Sequence, residues 1–361
     1  MKKLLFSYDN QLNGECWTFY KLAILNTSQI AKSWLATHIE FYINENMCGG
    51  YSNADGDYYR MRYFADILAM RRLPVSVIIP RELIDIIMKE IDISHYLVVY
   101  VNSKRLNNIK GLSLHELLIY GYDENKRVCF CPVLCHGRFI EKEIPFDIIV
   151  EAYNDARNHF LSNGWNLLVK RSFFFGITAL FLREDFQNDN WMADYIDKID
   201  HEIHGKRIVQ TDINDETKRE RVIYTGQACL VGLCSYFNDV ITEKKEISEE
   251  MLQRLCRTLK MMYDYRCLFL SSMMWFINMA SLCNNSKIMR LYNDYRLCAQ
   301  RIQNCYLLLC KYHHTRCIEI LEDIKYSLKC ISNEETNILS DYRQELWPYY
   351  YSMNGVPMLS E

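Results

Sequence analysis

The chain has 361 residues, a formal net charge of −3, 50% hydrophobic and 24% charged residues. That length fits two domains and a sizeable buried core. The charge excludes the basic field that a nucleic-acid partner requires. Only 6 prolines and 13 glycines leave little material for long disordered linkers. The basic start Met1-Lys2-Lys3 is followed by an apolar run too short for a secretory signal. The longest apolar run, Leu268 to Leu282, is shorter than a membrane span and carries Ser271, Ser272 and Asn278. Fifteen cysteines without a signal peptide fit a reducing compartment, where Cys298, Cys305 and Cys310 serve as small core residues of a helix. A cytoplasmic protein without a membrane partner is expected.

In chain order, Cys16–Leu25 and Ser28–Ile43 read as helices, and residues 44–59 as a polar loop with Gly49-Gly50 and Asp55-Gly56-Asp57. Tyr58–Met70 is predicted helical and Val75–Ile79 a short strand. Pro80 at a first helical position opens a helix to Lys89. Tyr96–Val101 is a continuous apolar run of strand length, as in a central strand. Leu114–Tyr122 and Arg127–Pro132 flank Asp123-Glu124-Asn125, a hairpin signal. Phe139–Ile144 suits a further strand. From about residue 151 the chain reads as successive helices, with Lys206–Arg221 a polar connection. Ser248 caps a helix with acids in its first turn. Ser332-Asn333-Glu334-Glu335 reads as a capping box for the last long helix. The expected organisation is an α+β domain over 1–150 and an α-helical domain over 151–361.

Cys16 and His115 carry the clearest chemical signal. A loop with Gly14 runs into a helix that starts at Cys16, and the positive helix end favours a thiolate there. A histidine brought over from a distant strand can take the thiol proton and return it. A structural, buried thiol is the competing role for any one cysteine of fifteen. Asp123 lies roughly 26 Å along the strand from His115, too far to orient the ring. The hairpin returns to the level of His115 near residues 131–133, which puts Cys131 at the third position. A neutral thiol is a poor acceptor for a histidine N–H. A weak orienter, a residue from elsewhere such as Asp147, or a dyad therefore all stay open.

Residues 10–25 and 95–150 resemble the papain-like cysteine-protease fold. They are closest to the leader-processing peptidases of bacteriocin export and to the N-terminal domain of the butirosin biosynthesis acyltransferase family. The segments that carry the likeness are Cys16 with its helix and His115-Glu-Leu-Leu-Ile-Tyr-Gly-Tyr-Asp123. The resemblance implies a Cys-bearing helix packed on an antiparallel sheet that bears His, followed by a mostly helical domain for substrate or carrier protein. It implies a glutamine oxyanion donor before the nucleophile. Gln11 stands five residues ahead of Cys16, one short of the usual six, so Asn10 is a rival. Where the family ends its second hairpin strand in Asp or Asn, this chain has Cys131-Pro132. The implied activity is an amide synthetase of a thiotemplated, nonribosomal antibiotic pathway. An acyl or peptidyl carrier protein with a phosphopantetheine arm donates, and a small-molecule amine accepts. A cysteine peptidase or hydrolase and a catalytically silent binding module are the alternatives.

No bound cofactor or metal is expected. Cys129, Cys131, Cys135 and His136 lack the two-residue knuckle spacing of a zinc site. His313-His314 has no second ligand at a useful spacing, and the Gly49–Asp57 loop has no phosphate-binding pattern. Trp347 to Tyr351 reads as an aromatic docking plug. Amphipathic helices such as Tyr295–Tyr312 suit packing within one chain or between two, which leaves the oligomeric state open.

Overall fold

The computed structural model describes residues 1–8, 16–53, 67–73, 78–135, 138–164, 177–183, 186, 190–211 and 220–353. It is an α+β protein whose described strands pair antiparallel throughout, with a helical C-terminal region. The chain forms two compact units, each made of two segments. One takes residues 1–32 and 60–187, the other 33–59 and 188–361.

The first unit contains two four-stranded sheets. One has the order β1 (Lys2–Lys3), β7 (Gly121–Asp123), β8 (Val128–Cys135) and β9 (Arg138–Pro145). The other has the order β4 (Leu68–Leu73), β10 (Ile177–Leu182), β5 (Tyr96–Asn102) and β6 (Leu114–Ile119). Val99, Val101, Leu117, Ile119, Cys129, Cys131, Ile144, Ile177 and Ala179 meet in one core. Helix α5 (Phe146–His159) lays Ile149, Ala152, Tyr153 and Ala156 on it. That spacing of three and four residues is a helix face. The buried Tyr153 hydroxyl donates to the Ile78 carbonyl at 3.1 Å.

The expected strand over 114–122 divides at Tyr120. Its first part pairs with β5 and its second with β8 and β1, so one run of chain serves both sheets. The hairpin turns at Glu124 to Arg127, where the Asp123 carboxylate accepts the Lys126 N–H at 3.1 Å and Arg127 takes the left-handed conformation at φ 55°. Tyr96–Val101 and Phe139–Ile144 are strands as expected. The helix expected from Pro80 begins as a 3-10 turn (Pro80–Glu82) and continues as α3 (Leu83–Asp92). Of the helix expected over Tyr58–Met70, residues 68–70 belong to β4, which pairs with β10 along its whole length. Residues 54–66 and 74–77, the latter with 75–77 of the expected strand Val75–Ile79, lie outside the described residues.

Among its described residues the second unit has one sheet, in the order β11 (Arg207–Thr211), β12 (Glu220–Thr225), β2 (Ile39–Asn44) and β3 (Gly49–Asn53). Its helices are α6 (Trp191–His204), α7 (Gln227–Thr242), α8 (Glu249–Met279), α9 (Ser286–Thr315) and α10 (Ile318–Met353). Three expectations fail here for one reason, strand pairing. Helix α2 (Gln29–His38) stops before Ile39, whose β-branched and aromatic successors Phe41, Tyr42 and Ile43 pair with β3 or β12. The expected loop at 44–53 contains β3, and the expected connection at 206–221 contains strand at both ends. Gly226 takes φ +49° against the end of α6, where a Cβ would stand 2.6 Å from the His201 carbonyl.

Ser248 does cap its helix, accepting from the Met251 N–H at 3.3 Å. The Ser332–Glu335 box caps nothing. The helix runs straight through it, because Ser332 donates to Gln227 and Glu335 turns inward to Arg266. The two compact units do not part at residue 150. Helix α5 and β10, on the far side of it, complete the first unit, while β2 and β3 join the second. The aromatic run 347–351 lies inside α10. Tyr349 and Tyr350 pack on the helical core, whereas Trp347 and Tyr351 are partly exposed.

Candidate functional site

Cys16 is the first residue of α1 (Cys16–Leu25), at the positive end of the helix. The helix is fixed by its apolar residues. Phe19 stacks on Phe139 of β9 at 3.7 Å between ring centroids, and Ala23, Ile24 and Leu25 are fully buried. This anchorage holds the thiol beside β6. Cys16 Sγ stands 3.9 Å from His115 Nε2.

His115 lies opposite Val101 on β5, near the start of the edge strand β6. The loop before it is fastened by Asn102. Its amide nitrogen donates to the Gly111 carbonyl at 2.9 Å and to Asp155 at 3.0 Å, and its oxygen accepts the Ser113 N–H at 3.0 Å. The His115 Nδ1–H donates to the Glu116 carbonyl at 2.9 Å, and the Glu116 carboxylate comes within 3.5 Å of the same nitrogen. A donated Nδ1–H fixes the tautomer and leaves the Nε2 lone pair for Cys16. The imidazole is 46% exposed, while the Glu116 carboxylate is only 16% exposed. Tyr20, one turn beyond Cys16, donates its hydroxyl to the Glu116 carbonyl at 3.3 Å. Burial, with Cys16 and Glu116 nearby, pushes its phenol well above the ordinary value, so it stays a neutral donor.

Cys16 and His115 are thus brought together across 99 residues of sequence. Cys131 is not among the hydrogen-bond partners of His115. It pairs in register with Lys142, is fully buried with Cys129 in the core, and burial pushes its thiol well up. Asp147 is also distant in role, since it makes a surface ion pair with Arg127 at 3.2 Å. The residue that meets His115 Nδ1 is Glu116, through its carbonyl and its carboxylate. Sequence reasoning missed it because successive strand residues leave opposite faces. A His-Glu pair at the start of an edge strand is the signal that would have found it. Gln11 and Asn10 lie outside the described residues, as does His136. His313 is a surface partner of Glu249 at 2.7 Å.

A half-open pocket of about 170 Å³ adjoins the thiol. Cys16, His115 and Glu116 line it, with an apolar wall of Val101, Leu106, Leu117, Val133, Phe139 and Ile144 and a single lysine, Lys142. Pockets for drug-sized ligands span roughly 300–1,000 Å³, so this one suits a short apolar group. None of the 15 cysteines is in a disulfide, and among the described residues no helix is long and apolar enough to cross a membrane.

Compared with known proteins, the chain matches no family model and no curated protein. The geometry of the site is therefore the basis on which a function is assigned: a thiol at a helix N-terminus, an imidazole with its free lone pair toward it, and a carboxylate behind.

Proposed function

We propose that this chain is a cysteine-dependent acyltransferase of papain-like fold that forms amides, with Cys16 as nucleophile and His115 as base. The 3.9 Å approach of Cys16 Sγ to His115 Nε2 carries this reading. The separation is looser than a formed hydrogen bond, as is common before substrate tightens such a pair. Glu116 acts as the positioning residue, through its carbonyl and carboxylate at Nδ1.

In the first half-reaction His115 accepts the Cys16 proton and Sγ bonds to the carbonyl carbon of a carrier-protein thioester. The carrier thiol leaves with the proton from His115. The acyl group is then held on Cys16, its chain in the apolar pocket. In the second half-reaction His115 deprotonates an amine, the amine nitrogen bonds to the acyl carbon, and Cys16 leaves as the thiol. Gln11 or Asn10 and the helix-end N–H groups are the proposed oxyanion donors. A thioester is already activated, which suits a site whose third residue is an adjacent glutamate. The second unit is the proposed docking body for the carrier protein. Hydrolysis replaces transfer if water takes the place of the amine.

Intact-protein mass spectrometry after incubation with short acyl thioesters tests the reading. Wild type is expected to gain one acyl mass and Cys16→Ala none, and added amines are expected to discharge it as amide rather than free acid. Folded wild-type protein that gains no acyl mass from any thioester would overturn it.

A further inference from the structure

The donors at the site are three different metal-binding groups: a thiol sulfur, an imidazole nitrogen and a carboxylate oxygen. One ligand atom each from Cys16, His115 and Glu116 lies within 4.8 Å of the others. Bond lengths of about 2.3 Å to sulfur and 2.0–2.2 Å to nitrogen and oxygen put tetrahedral donors about 3.3–3.6 Å apart. The observed 3.9 Å between Sγ and Nε2 is within a few tenths of an ångström of that spacing, and the Glu116 carboxylate, 3.5 Å from Nδ1, completes the set by rotating its side chain toward Nε2.

The local structure also meets the second requirement of a metal-ligating histidine. Such a histidine donates its other ring N–H to a carbonyl or carboxylate, which fixes the tautomer and strengthens the ligand. The His115 Nδ1 contact with the Glu116 carbonyl at 2.9 Å is of this kind, and it leaves Nε2 facing the sulfur. Cys16 starts a helix, where the positive end supports a thiolate. The carboxylate is mostly shielded from water, and the half-open pocket leaves room for a fourth ligand such as water.

We infer that Cys16, His115 and Glu116 form a binding site for a soft divalent cation, with Zn²⁺ as its type, and that the bound ion masks the thiol. On binding, Zn²⁺ replaces the Cys16 proton: a zinc–sulfur bond forms, the sulfur–hydrogen bond breaks, and one proton is released to solvent. No oxidation occurs. While the ion is bound, both the sulfur lone pair and the His115 lone pair are engaged, so covalent chemistry at Cys16 stops. Removing the ion restores it. The site stands on its geometry and does not depend on which acyl acceptor the enzyme uses.

The test uses chelator-stripped, full-length protein titrated with Zn²⁺ against a chromophoric competing chelator. Alkylation of Cys16 by iodoacetamide is followed in parallel by peptide mass spectrometry. Wild type is expected to bind one equivalent more than Cys16→Ser, with the other 14 cysteines common to both. His115→Ala and Glu116→Gln are each expected to weaken that equivalent at least tenfold. Saturating Zn²⁺ is expected to slow alkylation of Cys16 at least tenfold, with recovery on adding EDTA. Circular dichroism confirms that each variant is folded. Equal zinc stoichiometry in wild type and Cys16→Ser would overturn the site, as would Glu116→Gln binding zinc like wild type. Fast alkylation of Cys16 that zinc leaves unchanged would refute the mask and leave Cys16 as nucleophile standing.

Discussion

The buried networks of the helical unit and the candidate site of the first unit hold charge in opposite ways. In the helical unit, Arg266 and Glu335 are 6% and 2% exposed and meet through two hydrogen bonds of 2.9 and 2.7 Å. Gln227 donates to the same carboxylate at 2.9 Å, and Ser332 donates to Gln227 at 3.0 Å. Lys198, Glu202 and Tyr265 make a second closed set. Within these two sets the charged groups are met by one another. At the candidate site of the first unit the charged groups stand at a sheet edge, backed on one side and open on the other. Glu116 is mostly buried, His115 half exposed, and Cys16 lines a pocket. A closed polar network fixes a structure, while a half-closed one leaves bonding capacity for a ligand.

This contrast can be broken at several points. The largest effect is expected at the open site, where Cys16→Ala should reduce acyl transfer by three or more orders of magnitude, about 4 kcal/mol or more in barrier, with little change in the thermal unfolding midpoint. In the closed network the balance is reversed. Arg266→Ala leaves Glu335 buried and unpaired and is expected to cost about 3–5 kcal/mol in urea unfolding, whereas any properly folded fraction should acylate normally. Equal stability of Arg266→Ala and wild type would show that the network is not a structural device.

Glu116→Gln separates position from reaction. It keeps the carbonyl acceptor for Nδ1 and removes the charge, so kcat should fall roughly 10–100-fold with KM little changed, and the pH profile should move. A smaller change is expected from Val133→Asp, on the half-buried pocket wall. The preference for a six-carbon over a two-carbon acyl thioester should fall about tenfold, consistent with the loss of one apolar contact, and acetyl transfer should persist.

The smallest effect concerns acid stability. Burial opposes ionisation of Asp155, but hydrogen bonds from Arg105 and Asn102 outweigh it and hold the carboxyl below its ordinary value. A lowered folded-state value means that the stabilisation is complete above the unfolded value, about 3.9, and is lost as pH falls through the lower folded one. Asp155→Asn should therefore lower the unfolding midpoint at pH 7 slightly and flatten its decline below pH 4, as read from urea curves over a pH series.

How far the sequence reveals this molecule depends on how local the information is. Tyr96–Val101 reads as a strand because the run is apolar along its whole length, and Ser248 reads as a cap because its bond partner is three residues away. The Cys16 and His115 pairing is legible from two local contexts, a loop-to-helix thiol and a strand histidine, although 99 residues separate them. Strands β4, β10, β11 and β12 are not legible. They are five or six residues long; β4, β10 and β12 take their strand character from partners far along the chain, and β11 takes its own from β12. The false capping box at Ser332 fails for the same reason. Its glutamate has the local form of a cap, but a buried arginine 69 residues away gives it a better partner. Cys131 comes level with His115 only on an unbroken hairpin, whereas the strand divides at Tyr120, and ideal alternation turns Glu116 away from its neighbour.

The position of β10 has a consequence for synthesis on the ribosome. Strand β10 sits between β4 and β5, so these two meet only through a segment that is translated last in this unit. Until Leu182 has left the exit tunnel, β5 and β6 form a lone ribbon with one long unpaired edge. The nascent chain must keep that edge from other chains for more than 80 residues after Tyr96 emerges. A truncated product ending near residue 150 would carry both Cys16 and His115 and still lack the strand that closes the sheet beneath them.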